Sequence, residues 1–131
     1  MSANRIPVYH DSKNVAIIQI STANTNRDGS GTLGTVLTAA NNGYAVTKVE
    51  VIGTVTTTAG QVRLFVDDGG GTARLIAEIA ISAATPSASV QCATGSWTPT
   101  GDGLCLPSGY ILKASTHNAE AINVICHYGK Y

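Results

Sequence analysis

Residues 104–128, LCLPSGYILKASTHNAEAINVICHY, decide how this chain is read. Leu104 and Leu106 run into Pro107-Ser108-Gly109, where proline fixes φ and glycine supplies the positive φ of a tight turn. Tyr110, Leu112 and Ala114 then alternate with Ile111, Lys113 and Ser115, the two-residue period of a strand with two unlike faces. Thr116-His117-Asn118-Ala119-Glu120 is a polar turn, after which Ile122, Val124, Cys126 and Tyr128 resume the alternation. The stretch predicts three short strands with two turns, the last strand closing a sheet against strands made earlier.

The same grammar runs upstream. Residues 15–22, VAIIQIST, are apolar on both sides near their centre, which predicts a strand covered on both faces. Residues 23–34, ANTNRDGSGTLG, read as a loop. Strands over 35–40 and 44–56 are predicted to form a hairpin through Asn41-Asn42-Gly43, since Asn-Gly tolerates positive φ, with Val49 and Val51 in the core. Residues 61–67 alternate Val62, Leu64 and Val66 against Arg63 and Phe65. Asp67-Asp68-Gly69-Gly70-Gly71 is a second hairpin loop, and the return strand 73–81 turns Leu75, Ala77, Ile79 and Ile81 inward. SAATPS (82–87) is a linker, because Pro86 does not suit a central strand. A further strand is predicted over 88–98, through Val90 and Cys92 to Trp97. About eight short strands with regular turn signals and no helical period define an all-β chain, a single β-sandwich of jelly-roll-like type. Residues 1–14 lack periodicity and are expected to form an extended N-terminal arm, leaving 15–131 as the sandwich domain.

At 131 residues the chain suits one domain with its own core. Only 12% of residues are charged, and Thr, Ala, Gly, Ser and Asn fill the gap, giving a surface that packs against protein with little charge desolvation. Eight acidic and eight basic residues cancel and form no basic run, which argues against nucleic acid as a partner. No apolar run approaches the roughly 18 residues of a membrane helix, and the N-terminus lacks a signal-peptide core, so synthesis in a cytoplasm is expected. Cys92, Cys105 and Cys126 are widely spaced and odd in number, and read as core thiols.

The search for chemistry is mostly negative. There is no G-x-S-x-G elbow. Cys126 and His127 are strand neighbours and point to opposite faces, so they cannot share a metal. The Asp67–Gly71 run lacks the alternate ligands of an EF-hand, and neither Gly-rich run leads into Lys-Ser/Thr, so no P-loop is present. Glu50 and Glu78 read as solvent-facing strand residues, unrelated to Glu120. No catalytic, cofactor-binding or metal residue is assigned, and the chain is expected not to be an enzyme.

Four runs together look like a family of small tailed-bacteriophage virion proteins: TANTNRDGSGTLGTVLTA (22–39), TTTAGQVRLFVDDG (56–69), ATPSASV (84–90) and LPSGYILKASTHNAEAINVICHYGKY (106–131). The resemblance covers most of the chain after residue 21, with departures at Gly70-Gly71 and at the three cysteines. It implies a structural virion component, of the type in which small β-sandwich decoration, or cement, proteins trimerise on the outer shell of a phage head. The implied partners are the major capsid protein and further copies of the chain, a homotrimer, and the implied location is the capsid surface after synthesis in the host cytoplasm. Residues 1–14 are then expected to reach onto a neighbouring subunit or the shell, with Arg5, Ile6, Pro7, Val8, Tyr9 and Trp97 as candidate contacts. A carbohydrate-binding host-recognition domain of a tail or head fibre is the alternative, and a cell-envelope hydrolase ranks last.

Overall fold

A computed structural model describes residues 12–131 of the chain. Among the described residues the strands are β1 (Ser12–Ile20), β2 (Gly34–Thr38), β3 (Tyr44–Gly53), β4 (Gly60–Asp67), β5 (Ala73–Ile81), β6 (Thr94–Trp97), β7 (Leu104–Leu106), β8 (Ile111–Thr116) and β9 (Ile122–Lys130). They form two antiparallel sheets. The first runs β1-β9-β3, with β6 and β7 both beside β3, and the second runs β2-β8-β4-β5.

The pairing is nested. β1 pairs with β9, β2 with β8, β3 with β6 and β7, and β4 with β5. A chain paired this way is one long hairpin whose tip lies between β4 and β5. Rolling that hairpin up lays β9 beside β3 and β8 beside β4. This is the jelly roll expected from the strand count, with its sixth strand split into β6 and β7 by the turn at 98–103. Between the sheets lie Val49, Val51, Val62, Leu64, Leu112, Ala114, Val124 and Cys126, all essentially without solvent exposure. Each large aliphatic among them contributes about 1.5–3 kcal/mol by leaving water.

Several local expectations are corrected. The turn at Asn41-Asn42-Gly43 exists: Asn41 has φ 53° and the Gly43 amide donates to the Ala40 carbonyl at 2.9 Å. It is a corner, not a hairpin, because β2 and β3 belong to opposite sheets. β3 instead pairs along nearly its whole length with β9, a far longer ladder than five-residue β2 could supply. β1 starts at Ser12, inside the segment expected to be an arm, and is an edge strand. Val15 and Ile17 on it are 52% and 61% exposed, so it is not covered on both faces by any described residue.

The strand expected from residue 88 begins only at Thr94. Ser87 explains the delay: its Oγ accepts from the Ser89 and Val90 amides while its own amide donates to the Val90 carbonyl. That turn competes with ladder pairing and leaves Val90 about half exposed. Of the three cysteines only Cys126 is a core thiol. Cys92 is partly buried and Cys105 is exposed, since it faces away from inward-pointing Leu106 on short β7.

The loop between β1 and β2 folds over the outer side of the second sheet. The Asn24 amide donates to the Thr116 carbonyl (2.8 Å), and Gly29 sits so close to the Ala73 carbonyl that a Cβ there would overlap it. Asn24 and Asp28 brace the loop from within: Asn24 Nδ2 donates to the carbonyls of Ser30 and Thr32, and Asp28 Oδ1 accepts from Ser30. Beneath it Arg63 and Phe65 are buried on the side of β4 that the alternation alone would leave to solvent. Arg63 Nε donates to Glu78 Oε2 at 2.9 Å, its Nη1 lies 3.4 Å from the Asn24 carbonyl, and both Nη atoms are 3.3 Å from His117 Nδ1. Glu78 is solvent-facing, as expected, and in addition holds Arg63 in place.

Candidate functional site

The outer side of the first sheet has no such cover among the described residues. Registers place its side chains in three cross-strand rows: Val15, His127 and Lys48; Ile17, Ile125, Glu50 and Ser96; and Gln19, Asn123, Ile52 and Thr94. Alternation puts these residues on one face because each is an even number of steps from its neighbour along its own strand. Val15, Ile17, Ile125 and Ile52 thus form an aliphatic diagonal. One end is edged by neutral amides, where Gln19 Nε2 donates to Asn123 Oδ1 at 2.9 Å.

At the other end Glu50 Oε1 lies 3.2 Å from His127 Nε2 and 3.5 Å from Lys48 Nζ. These groups are roughly two-fifths exposed, so each pair contributes at most about 1 kcal/mol. They line an open groove of about 560 Å³ together with Lys13, Asn14, Val15, Thr47 and Tyr128. A second hollow of about 360 Å³ lies beyond Glu50, against Ile52, Ser96 and Ile125. Tyr128 packs on Tyr44 with ring centroids 5.1 Å apart, and Lys130 Nζ stands 5.7 Å from the Tyr44 ring. Chemically the face offers aliphatic area, amides, hydroxyls and one compensated carboxylate, a composition for contact with another molecule.

Among the described residues no three His, Cys, Asp or Glu side chains gather closely enough to hold a metal. Asp67 at the β4–β5 tip is occupied with its own loop: Oδ1 accepts from the Gly69 and Gly71 amides and Oδ2 from Lys113 Nζ at 3.1 Å. The Lys113 contact, then the Gly69 amide, holds this carboxyl below the ordinary value. The run read as a hairpin tip is one.

Of the candidate contacts, Arg5, Ile6, Pro7, Val8 and Tyr9 lie outside the described residues. Trp97 ends β6 opposite Val49, half-buried against the core; its row runs through Val49 and Cys126 to Ala16, which puts it three strands from β1 and on the opposite face from Val15 and Ile17. Val15, Ile17, Ile52 and Ile125 were not anticipated as a surface. The signal in β1 was weak: over 15–20 one parity runs Val15, Ile17 and then polar Gln19, whereas Ala16, Ile18 and Ile20 are all apolar. The parity that stays apolar over 15–20 is the one turned to the core.

Compared with protein-family models and with curated proteins, the chain matches none.

Proposed function

We propose that the chain is a structural, non-enzymatic virion protein, a capsid decoration protein that binds the outside of a phage head and stabilises it. The observation that carries this reading is the outer face of the first sheet, which no described residue covers. It exposes Val15 and Ile17 beside Ile52 and Ile125 in a protein with few charges, so docking it against a shell buries apolar area with little charge desolvation. The four sequence runs that resemble small phage virion proteins support it further. They fall on the β1–β2 loop with β2, on β4, on the connection between β5 and β6, and on β8 and β9.

The partner in this reading is the major capsid protein, and self-association into a homotrimer follows the resemblance. Cryo-electron microscopy of virions containing the protein, with copy number from the same sample, tests it. Density on the capsid exterior at local three-fold positions, in numbers rivalling the major capsid protein, is the expected result. A few copies confined to a tail or vertex would overturn it. That outcome would favour the second reading, a carbohydrate-binding host-recognition domain, which the groove at Glu50, His127, Lys13 and Asn14 favours because carboxylate, imidazole and amide groups converge there. A glycan array probed with the isolated protein separates the two.

A further inference from the structure

The outer edge of β1 has no partner among the described residues, and what it can pair with goes beyond the decoration reading and does not depend on it. Natural edge strands are usually blunted by proline, bulges, charges or brevity. β1 has only one of these, a single charge near its start. It is nine residues long, without proline or glycine, with Lys13 as its single charge. Its register with β9 runs unbroken from Ser12 to Ile20, whereas β2·β8, β3·β9 and β4·β5 all contain a shift. Among the described residues no backbone group outside the β9 ladder bonds to it.

We propose that this edge pairs with the β1 edge of a second copy, antiparallel about a two-fold axis, joining two first sheets into one continuous sheet. The sequence is self-complementary in that arrangement. An isologous antiparallel pair that overlaps all nine residues is centred on Ala16 and sets Val15 opposite Ile17 of the other copy, twice. Opposite residues then share a face, so both aliphatic diagonals lie on the same side of the joined sheet. Lys13 meets Gln19, and no like charges face each other. Shifting the register by two residues shortens the overlap and sets Val15 on Val15, or Ile17 on Ile17. A two-fold contact of this kind is compatible with a three-fold one, since it would link one trimer to the next.

Charge variants at two exposed positions test this without disturbing the fold. V15E/I17E places carboxylates opposite each other at both cross-strand pairs, and V15E/I17K places Glu opposite Lys at both. Sedimentation equilibrium of the full chain should give an even number of copies for the native protein, half that mass for V15E/I17E, and recovery of the native mass for V15E/I17K. Circular dichroism checks that each variant is folded. A native protein that stays a single copy or an odd-numbered assembly, a mass unmoved by V15E/I17E, or no recovery in V15E/I17K would each overturn the proposal. Capsid occupancy is measured separately, so a failed decoration reading would leave these masses unaffected.

Discussion

Glu78 Oε2 accepts from two guanidinium groups, Arg63 Nε at 2.9 Å and Arg27 Nε at 3.0 Å, and the two contacts should differ greatly in strength. The Arg63 side chain is 1% exposed and the Arg27 side chain 59%. Removing the carboxylate with Glu78→Ala leaves Arg63 as a charge under the β1–β2 loop, holding only the Asn24 carbonyl and His117 Nδ1. Breaking a buried ion pair costs about 3–5 kcal/mol, and partial access of water past Glu78 brings the expectation to about 3 kcal/mol. That is roughly a hundredfold in the folding equilibrium. Arg27→Ala removes an exposed pair to the same oxygen and should cost less than about 0.5 kcal/mol. Urea unfolding gives both values. Hydrogen exchange at the Asn24 amide, which is bonded to the Thr116 carbonyl, reports whether the loop lifts before the body unfolds. If Glu78→Ala fell within about 1 kcal/mol of the native protein, or matched Arg27→Ala, the assignment of Arg63 as a charge dependent on Glu78 would be refuted.

Further outcomes follow from single positions. Gly29→Ala should cost more than about 2 kcal/mol, because φ is 87° and the new methyl overlaps the Ala73 carbonyl; Gly71→Ala, at φ 92° but with nothing within 4 Å, should cost about 1 kcal/mol. Thermal midpoints that ranked the two the other way would contradict the loop placement. In the native state a thiol reagent should modify Cys105 at once and Cys126 only as the protein unfolds. Burial pushes the Cys126 thiol up to about 12 from 9.0, so between those values the unfolded thiol ionises first and stability falls as pH rises, by about 4 kcal/mol at the upper end. Cys126→Val should flatten that decline, and an unchanged profile would refute it. The depressed Asp67 carboxyl acts in the opposite range: its stabilisation is complete above about pH 4, the unfolded value, and is lost as pH falls through the lower folded value. Asp67→Asn should therefore weaken the protein at neutral pH and reduce its sensitivity to acid in unfolding titrations.

The closing stretch was legible because alternation and turn chemistry agree there, and β7, β8 and β9 fall within two residues of their expected bounds. β4 was only half legible. Its alternation identified Val62 and Leu64, but the burial of Arg63 and Phe65 depends on a loop from elsewhere in the chain, and nothing local in GQVRLFVD announces that cover. The Asn41–Gly43 turn shows the converse limit. Residue chemistry set the turn but not the partners of the flanking strands, which long-range ladders decide. In β1 the unbroken apolar run Val15–Ile18 obscured the parity that separates core from surface, and so the candidate docking face was missed.

The position of β9 has a consequence for how the protein comes into being. It is the strand between β1 and β3, so the first sheet has no continuous ladder until residues 122–130 are present. β4 and β5 are joined by a short loop and can pair as soon as both leave the ribosome, whereas β1 must wait for residues 122–130. During that interval both edges of β1 are open on the nascent chain, and neighbouring chains on one message offer the same strand. Assembly of this jelly roll is thus a race between the arrival of its own β9 and an encounter with β1 of another chain.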